Sequence, residues 1–246
     1  MPTSLLPASW EVPALFRERL GDDAGRQRAM TAEGHLLLVL HAPPQPDQDE
    51  RQGRFYWRKP DGTWTPKGLT HGQLAVGELL TEYERAIDQV DQAEDVASAA
   101  AEYFTILTAL NPLVRSTRNL HDALQEARQA VPKDRQLIVL RDRAYNLSRR
   151  AELLYNDAKS ALDFAIARRG EEQAAASERM AVASHRLNLL VAFFFPLATL
   201  CAIFGMEFRH GLDTYDPPGP LAAIVGIGLI LGFLLMLFVM RPAKRE

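Results

Sequence analysis

Two histidines, His35 and His41, are the side chains of this chain most suited to binding a metal, and they stand at the two ends of an apolar run. Imidazole nitrogens ligate zinc when further ligands accompany them at short, regular spacings. These two lie six residues apart on one predicted strand, without partners at such spacings. We therefore interpret both as packed or solvated side chains and not as a metal site.

No other pattern in the sequence favours an enzyme. We find no nucleophile beside a base, no phosphate-binding loop and no His-x-x-x-His pair, so we expect neither catalytic residues nor a cofactor. The single cysteine, Cys201, rules out an internal disulfide. A net charge of −3 and the absence of a basic stripe argue against a nucleic-acid partner. The first residues lack a basic region followed by an apolar run, so we expect no cleavable signal peptide.

Two apolar segments near the end of the chain, residues 187–206 and 221–240, dominate the hydropathy pattern. Each could cross a hydrocarbon core of about 30 Å as a helix rising about 1.5 Å per residue. The stretch between them, residues 207–220, contains three prolines and is too short to be a domain. The pattern therefore predicts a hairpin of two transmembrane helices, with both flanks on one side of the membrane.

Basic residues predict the orientation of this hairpin. The positive-inside rule places the more basic flanks in the cytoplasm, so we expect a multi-pass protein of the cell inner membrane with both termini cytoplasmic. One hairpin cannot enclose a water-filled path, so transport would need an oligomer. Small residues in the second segment, Gly228 with Gly232 and Ala222 with Gly226, offer surfaces for close helix packing. The flanks carry Arg179, Arg186, Arg241, Lys244 and Arg245, and the loop carries Arg209.

The first apolar segment also carries a family signature. Residues 195–199 and 203–208 resemble the CorA family of divalent-cation channels. In that family the first membrane helix ends in Tyr-Gly-Met-Asn, a proline lies well upstream, and a second helix closes the chain. Pro196 matches the position of that proline. Glu207 stands where the family has asparagine, and Phe204 stands where it has tyrosine.

The resemblance implies five copies around a central ion path, in contact with one another and with membrane lipid. The outer mouth would be Gly205, Met206 and Glu207, with Glu207 contacting the hydrated metal. The transported ion would be Mg²⁺, or a transition metal such as Zn²⁺ or Co²⁺, with relaxed selectivity because a carboxylate replaces the amide. By helical steps of three and four, the face leading inward would be Ala202, Ala198, Phe195, Val191, Asn188 or Leu187, and Ser184.

The N-terminal residues predict a small α/β part. His35 to His41 indicates a buried strand, and residues 54–58 and 63–65 flank a turn sequence and indicate a hairpin. Short helices are predicted at residues 13–20 and 23–30.

The central residues predict long helices. Apolar side chains recur every three or four residues from Val76 to Leu107, and Asn111-Pro112 marks a kink or short break before the stripe continues to Val131. A turn follows, with Asp134 as the predicted N-cap of the next helix. Its strict seam is typical of a contact between helices, and we expect it to contribute to a symmetric assembly. The seam comprises Leu137, Leu140, Ala144, Leu147, Ala151, Leu154, Ala158, Ala161 and Ala165.

We thus expect an α+β, mostly helical membrane protein. The rival interpretation is a membrane-anchored CorA-like scaffold or signalling effector without selective transport. The replacement of the family asparagine by Glu207 supports this interpretation. Two local alternatives stay open, namely that Phe195 packs between helices and that Glu207 points outward or pairs with Arg209.

The predicted parts are 1–71 (small α/β cytoplasmic part), 72–186 (helical hairpin and stalk), 187–206 (first transmembrane helix), 207–220 (external loop), 221–240 (second transmembrane helix) and 241–246 (basic cytoplasmic tail).

Overall fold

A computed structural model describes residues 5–45, 51–68, 75–205 and 219–240 of the chain. The described residues are mostly helical, with a small antiparallel sheet near the N-terminus and one very long helix. The chain divides into two compact units, Met1–Ala167 and Arg168–Glu246. The predicted mostly helical α+β composition is confirmed, and the predicted domain limits stay predictions.

The sheet is an antiparallel meander in which each strand pairs with the next one along the chain. A two-residue turn, Glu33-Gly34, joins the first two strands, and both of its residues have positive φ angles of 51° and 78°. Positive φ at both central residues is the requirement of the type I′ turn, whose twist suits a tight hairpin. The strands are β1 (Arg28–Ala32), β2 (His35–His41), β3 (Gly53–Arg58) and β4 (Trp64–Thr65).

Strand β2 is buried on both of its faces. Its even-numbered leucines belong to the core cluster that the sheet shares with the helices. Leu37 and Val39, on the opposite face, pack in a second cluster with Leu6 and Phe16 of the N-terminal segment. A strand covered on both sides has a continuous apolar sequence, so the predicted buried strand is confirmed.

Two of the other N-terminal predictions are confirmed and one is wrong. The helix α1 (Ala14–Glu18) lies within the predicted residues 13–20, and β3 and β4 form the predicted hairpin. The helix predicted at residues 23–30 does not form, because Arg28–Ala32 is strand β1 and pairs with β2 along its whole length. Only Met30 of this short strand is buried, so its sequence carries a weak strand pattern.

Helices α2 (Ala75–Val96) and α3 (Ala100–Ala130) replace the single helix predicted before the turn. The chain reverses between them, since the Tyr83 hydroxyl of α2 lies 2.6 Å from the Ser116 Oγ of α3. The Glu102 carboxylate accepts the amide N–H groups of Ser98 (2.7 Å) and Ala99 (2.9 Å) at the start of α3. These two hydrogen bonds hold the pKa of Glu102 below its usual value and fix the position of the break.

The short break offered as one alternative at Asn111-Pro112 does not form, because α3 continues through Pro112, and the kink stays a prediction. A proline inside a helix removes one backbone hydrogen bond and disfavours the helix by about 3 kcal/mol. Leu110 and Leu113 are both buried on either side of it, as is Leu120 further along. Burial of this apolar face offsets the local effect of the proline.

Helix α4 (Arg135–Gly205) is 71 residues long and begins at an aspartate cap. Asp134 Oδ1 accepts the backbone N–H groups of Gln136 (2.9 Å) and Leu137 (3.4 Å), so the predicted N-cap is confirmed. Asp134 Oδ2 also accepts from Arg58 Nε of β3 at 2.7 Å, in a pair whose side chains are only 13% and 9% exposed. One side chain thus starts the helix and ties it to the sheet.

The predicted seam of α4 is buried within its own chain. Its side chains from Leu137 to Ala158 are at most 6% exposed and share the core cluster with α2 and α3. Ion pairs flank the seam, among them Arg143 with Glu84 at 3.0 Å. From Leu137 to Ala158 the seam is filled by helices of the same chain and leaves no surface for another copy, so this part does not contribute to a symmetric assembly as expected. Ala161 and Ala165 are half-buried, and their contribution stays a prediction.

Replacing Asp134 should separate its two roles. We expect Asp134→Ala to lower the free energy of unfolding by about 3–5 kcal/mol, because it strands the buried Arg58 guanidinium as well as the first amides of α4. Asp134→Asn keeps a capping oxygen and should cost less. Denaturant unfolding followed by circular dichroism measures both. Asp142→Ala, at a side chain that is 58% exposed, is the control, and equal effects of Asp134→Ala and Asp142→Ala would contradict this role.

Candidate ion path on the C-terminal helices

The candidate path depends on two apolar helices of the second unit, the last part of α4 and helix α5 (Gly219–Met240). Both fall on the segments that the sequence predicts as membrane spans. By length and composition, α4 is the one helix among the described residues that could cross a membrane, in its portion Arg135–Leu200. The apolar stretch of α5 found by the same test, Val225–Leu237, is shorter.

The two helices approach closely at the glycines of α5. A Cβ atom added to Gly232 would collide with the backbone carbonyl oxygen of Phe193. A Cβ atom on Gly228 would lie 2.9 Å from Leu197 Cδ1 and 3.2 Å from Leu197 Cα. The packing surface predicted at Gly228 and Gly232 is therefore confirmed. Gly226 of the second predicted surface has no neighbour within 4 Å of a built Cβ atom.

The predicted path lies on a different face of α4 from this contact. Phe193 and Leu197, which meet α5, are partly buried, whereas the predicted path residues are exposed along the whole face. The described chain therefore leaves the candidate path uncovered and covers the opposite side of the same helix. The exposed path residues are Ser184, Leu187, Asn188, Val191, Phe195, Ala198 and Ala202.

Phe195 is the bulkiest residue of this face and is 66% exposed. It is largely uncovered by the described residues, so among these no helix offers the packing that the alternative interpretation of Phe195 requires. Its neighbour Phe194 is 54% exposed and meets Phe193 edge to face, with ring centroids 5.0 Å apart. Sequence reasoning did not identify Phe193 and Leu197 as the residues that seat α5, although their spacing of four matches that of the two glycines.

The helix stays regular across Pro196. This residue has no N–H to donate to the carbonyl of Ala192, which leaves that oxygen without its usual helical partner. One turn further on, the Thr199 hydroxyl donates to the carbonyl of Phe195 at 2.8 Å, so this polar side chain is satisfied inside an apolar segment. The proline expected by resemblance thus lies inside α4, and α4 continues unbroken to Gly205.

The predicted mouth is only partly within the described residues. Gly205 is the last residue of α4, whereas Met206 and Glu207 lie outside the described residues. The predicted metal contact of Glu207 therefore stays a prediction. Across the part of the chain that the structure describes, no group of three or more His, Cys, Asp or Glu side chains could hold a metal ion.

The two histidines first considered as ligands are packed side chains. His35 Nδ1 accepts from Trp57 Nε1 at 3.0 Å, and the two rings stack with centroids 5.6 Å apart. His41 is 6% exposed, and burial, which disfavours the charged imidazole, lowers its pKa. This arrangement agrees with the interpretation favoured from the sequence.

Gly232→Ala should disturb the contact between α4 and α5. The added methyl group meets a backbone oxygen that no side-chain rotation can move, so the helices must separate, at about 1–3 kcal/mol. We expect a lower thermal unfolding midpoint for the purified protein in detergent. The matched control is Gly226→Ala, which adds the same methyl group in open space and should leave the midpoint equal or higher. Equal losses in the two variants would show that the contact is unimportant.

Comparisons with known proteins find likeness among solved structures. No family model matches the chain, and no curated protein matches it. Among solved structures, the chain is similar to the CorA magnesium transporter from Methanocaldococcus jannaschii, with 12% sequence identity and a TM-score of 0.38. That similarity covers 91% of this chain and 81% of the transporter chain. A likeness at this level identifies neither a family nor a function for the chain.

Proposed function

We propose that this chain is a CorA-like oligomeric membrane channel or transporter for divalent cations. The observation that carries the proposal is the division of α4 into two faces. Phe193 and Leu197 seat α5 on one face, while the face that the family resemblance assigns to the ion path is free of any cover from the described chain. The motif residues Pro196 and Gly205 lie on the same helix.

In this proposal both apolar helices cross the membrane. Helix α5 has 22 residues and no charged side chain, enough for about 30 Å of helix. The basic residues outside the two segments place both termini in the cytoplasm by the positive-inside rule. Residues 207–220 then form the external loop of a protein of the cell inner membrane.

The path requires several copies of the chain. Two helices that pack directly on each other leave no lumen between them, so an aqueous route must be enclosed by α4 helices from different copies. The exposure of every side chain from residue 168 to residue 188 is compatible with such an assembly. Five copies follow from the family resemblance, and membrane lipid would cover the remaining apolar surface.

The chemistry of the proposed path suits a hydrated cation. Mg²⁺ releases its water ligands reluctantly, so a mouth lined by oxygen atoms can hold the ion with its water shell. Rings of Phe195 and Val191 would close the path by excluding water. Asn188 and Ser184 provide polar groups at the cytoplasmic end. The transported ion is Mg²⁺, or Zn²⁺ or Co²⁺, and the carboxylate of Glu207 relaxes the preference among them.

The rival proposal is a membrane-anchored scaffold or signalling effector that keeps this architecture without selective transport. The replacement of the family asparagine by Glu207 favours it. The two proposals differ in whether purified protein in liposomes passes Mg²⁺, Zn²⁺ or Co²⁺ in preference to K⁺. Absence of divalent flux from folded, oligomeric protein would favour the scaffold.

Glu207→Asn should change the pH dependence of that flux. Carboxylates from several copies at one mouth repel each other, so some hold a proton near neutral pH and protons compete with metal. We expect wild-type flux to fall as pH drops from about 7 to about 5. The substitution should flatten this dependence and shift the preference toward Mg²⁺.

The control for this substitution is Asp213→Asn, which removes a carboxylate from the same predicted loop but outside the motif. It should leave both selectivity and pH dependence as in the wild type. If Glu207→Asn also leaves both untouched, Glu207 is not part of the ion path.

Phe195→Ala should raise the leak of ions through the closed channel. A smaller side chain widens an apolar constriction and admits water, which removes the barrier to ions. Phe194→Ala is the matched control, because Phe194 is exposed to a similar extent but lies off the predicted path. Liposome flux and a thermal melt should be measured on both variants. A loss of stability of about 3 kcal/mol or more, with unchanged flux per folded channel, would assign Phe195 to packing between copies.

A further inference from the structure

A cavity of about 170 Å³ opens in the first unit. It lies between the segment that follows β2, at Pro43 and Pro44, and the stretch of α3 from Pro112 to Asn119. Arg51, just before β3, completes the wall. The lining therefore comes from stretches that are some sixty residues apart in the chain and that meet only in the folded unit.

The described lining of this cavity contains positively charged residues and no negatively charged ones. Two arginines, Arg51 and Arg115, are among its described lining residues, and both are exposed, whereas no carboxylate is among them. Within the described residues neither arginine has an ion pair, whereas Arg118, three residues further along α3, pairs with Glu152 at 2.6 Å. Arg143 and Arg150 of α4 are likewise paired with carboxylates of α2. Both arginines therefore bring positive charge to the described lining of the cavity.

The inner wall of the cavity is held by a hydrogen-bond network. Gln27 Nε2 donates to the Ser116 carbonyl at 2.9 Å, and Gln27 Oε1 accepts from the His41 amide at 3.4 Å. The Ser116 hydroxyl lies 2.6 Å from the Tyr83 hydroxyl, which also donates to the His41 carbonyl at 3.1 Å. Gln27 is 6% exposed and Tyr83 is fully buried. The part of the lining formed by Gln27, His41 and Ser116 is therefore held in place by these hydrogen bonds.

The pKa of His41, one of the lining residues, is affected by nearby positive charges. Burial lowers the pKa of His41 most strongly, and the positive charges of Arg51 and Arg28 lower it further. A hydrogen bond with the Gly25 backbone acts in the opposite direction. Arg51 and Arg28 therefore lie close enough to His41 for their positive charges to act on its imidazole.

We propose that this cavity binds a phosphate group, held by Arg51 and Arg115. A guanidinium presents planar pairs of N–H donors that match phosphate oxygens, and such charge-assisted bonds are about twice as strong as neutral ones. The cavity has room for a phosphate ion and a few waters, since one water occupies about 30 Å³ of liquid. It is smaller than the usual range for drug-sized ligands, so the rest of a larger phosphorylated molecule would extend outside it. The proposal stands whether or not the C-terminal helices conduct ions.

The test is binding of inorganic phosphate to the full-length protein in detergent, by calorimetry at constant ionic strength set with chloride. We expect saturable binding that is at least tenfold weaker in Arg51→Gln and in Arg115→Gln. Arg135→Gln removes the same charge at an exposed residue outside the cavity and should stay within twofold of the wild type. Glycerol phosphate is compared with phosphate, and tighter binding of the ester indicates a phosphorylated metabolite as the source, whereas equal or weaker binding indicates free phosphate.

Three outcomes would overturn the proposal. One is the absence of saturable phosphate binding at millimolar concentrations, and another is an equal loss of affinity in Arg135→Gln, which would indicate general charge screening. The third needs no substitution and so does not depend on the folding of a variant. A phosphate group beside Arg51 should raise the pKa of His41 in the wild-type protein, and an imidazole titration by NMR that is the same in phosphate and in chloride would exclude the site.

Discussion

Burial of one seam on α4 is the constraint on which the first unit depends. Small and large side chains alternate along it, from Leu137 to Ala158, and this lets α2 and α3 approach the helix closely within a single core. The same core includes the even-numbered leucines of β2, so the helices that pack on the seam also hold the sheet in place. Asp134 adds the starting point, because its carboxylate both caps α4 and pairs with Arg58 of β3. Without that seam neither the sheet nor the wall of the phosphate cavity would have a support.

A second close contact orders the two C-terminal helices by sterics instead of side-chain burial. The absence of a side chain at Gly232 lets the α5 backbone reach the carbonyl of Phe193, and Leu197 fits against Gly228. In lipid such van der Waals packing is a main source of attraction between helices, because apolar tails compete equally for apolar side chains. The contact also selects which face of α4 remains free. Because α5 covers the face of α4 that carries Phe193, the face that carries Phe195 remains exposed among the described residues.

The sequence predicted those features that depend on local periodicity and missed those that depend on distant partners. Strand β2 was predictable because burial on both faces leaves a continuous apolar run, and α4 was predictable from its regular seam. Strand β1 was not, since its pairing with β2 outweighs a short pattern with only Met30 buried. A proline is a strong local signal, yet α3 runs through Pro112 because buried leucines on both sides stabilise the helix. The phosphate cavity could not have been found, since Arg51 and Arg115 meet only in the folded unit.

The exposed apolar area of α4 fits a membrane as well as it fits an assembly. Burying a side chain such as Val191 or Phe195 away from water is worth about 1.5–3 kcal/mol, and lipid supplies that gain as well as a neighbouring copy does. The Thr199 hydroxyl is satisfied by the Phe195 carbonyl and so needs no partner chain. In the proposed orientation Asn188 lies near the cytoplasmic end of its segment, where its amide can reach water. An aqueous path across the membrane therefore requires self-assembly, whereas the surface of α4 alone does not. Evidence against the oligomer would also be evidence against the ion path.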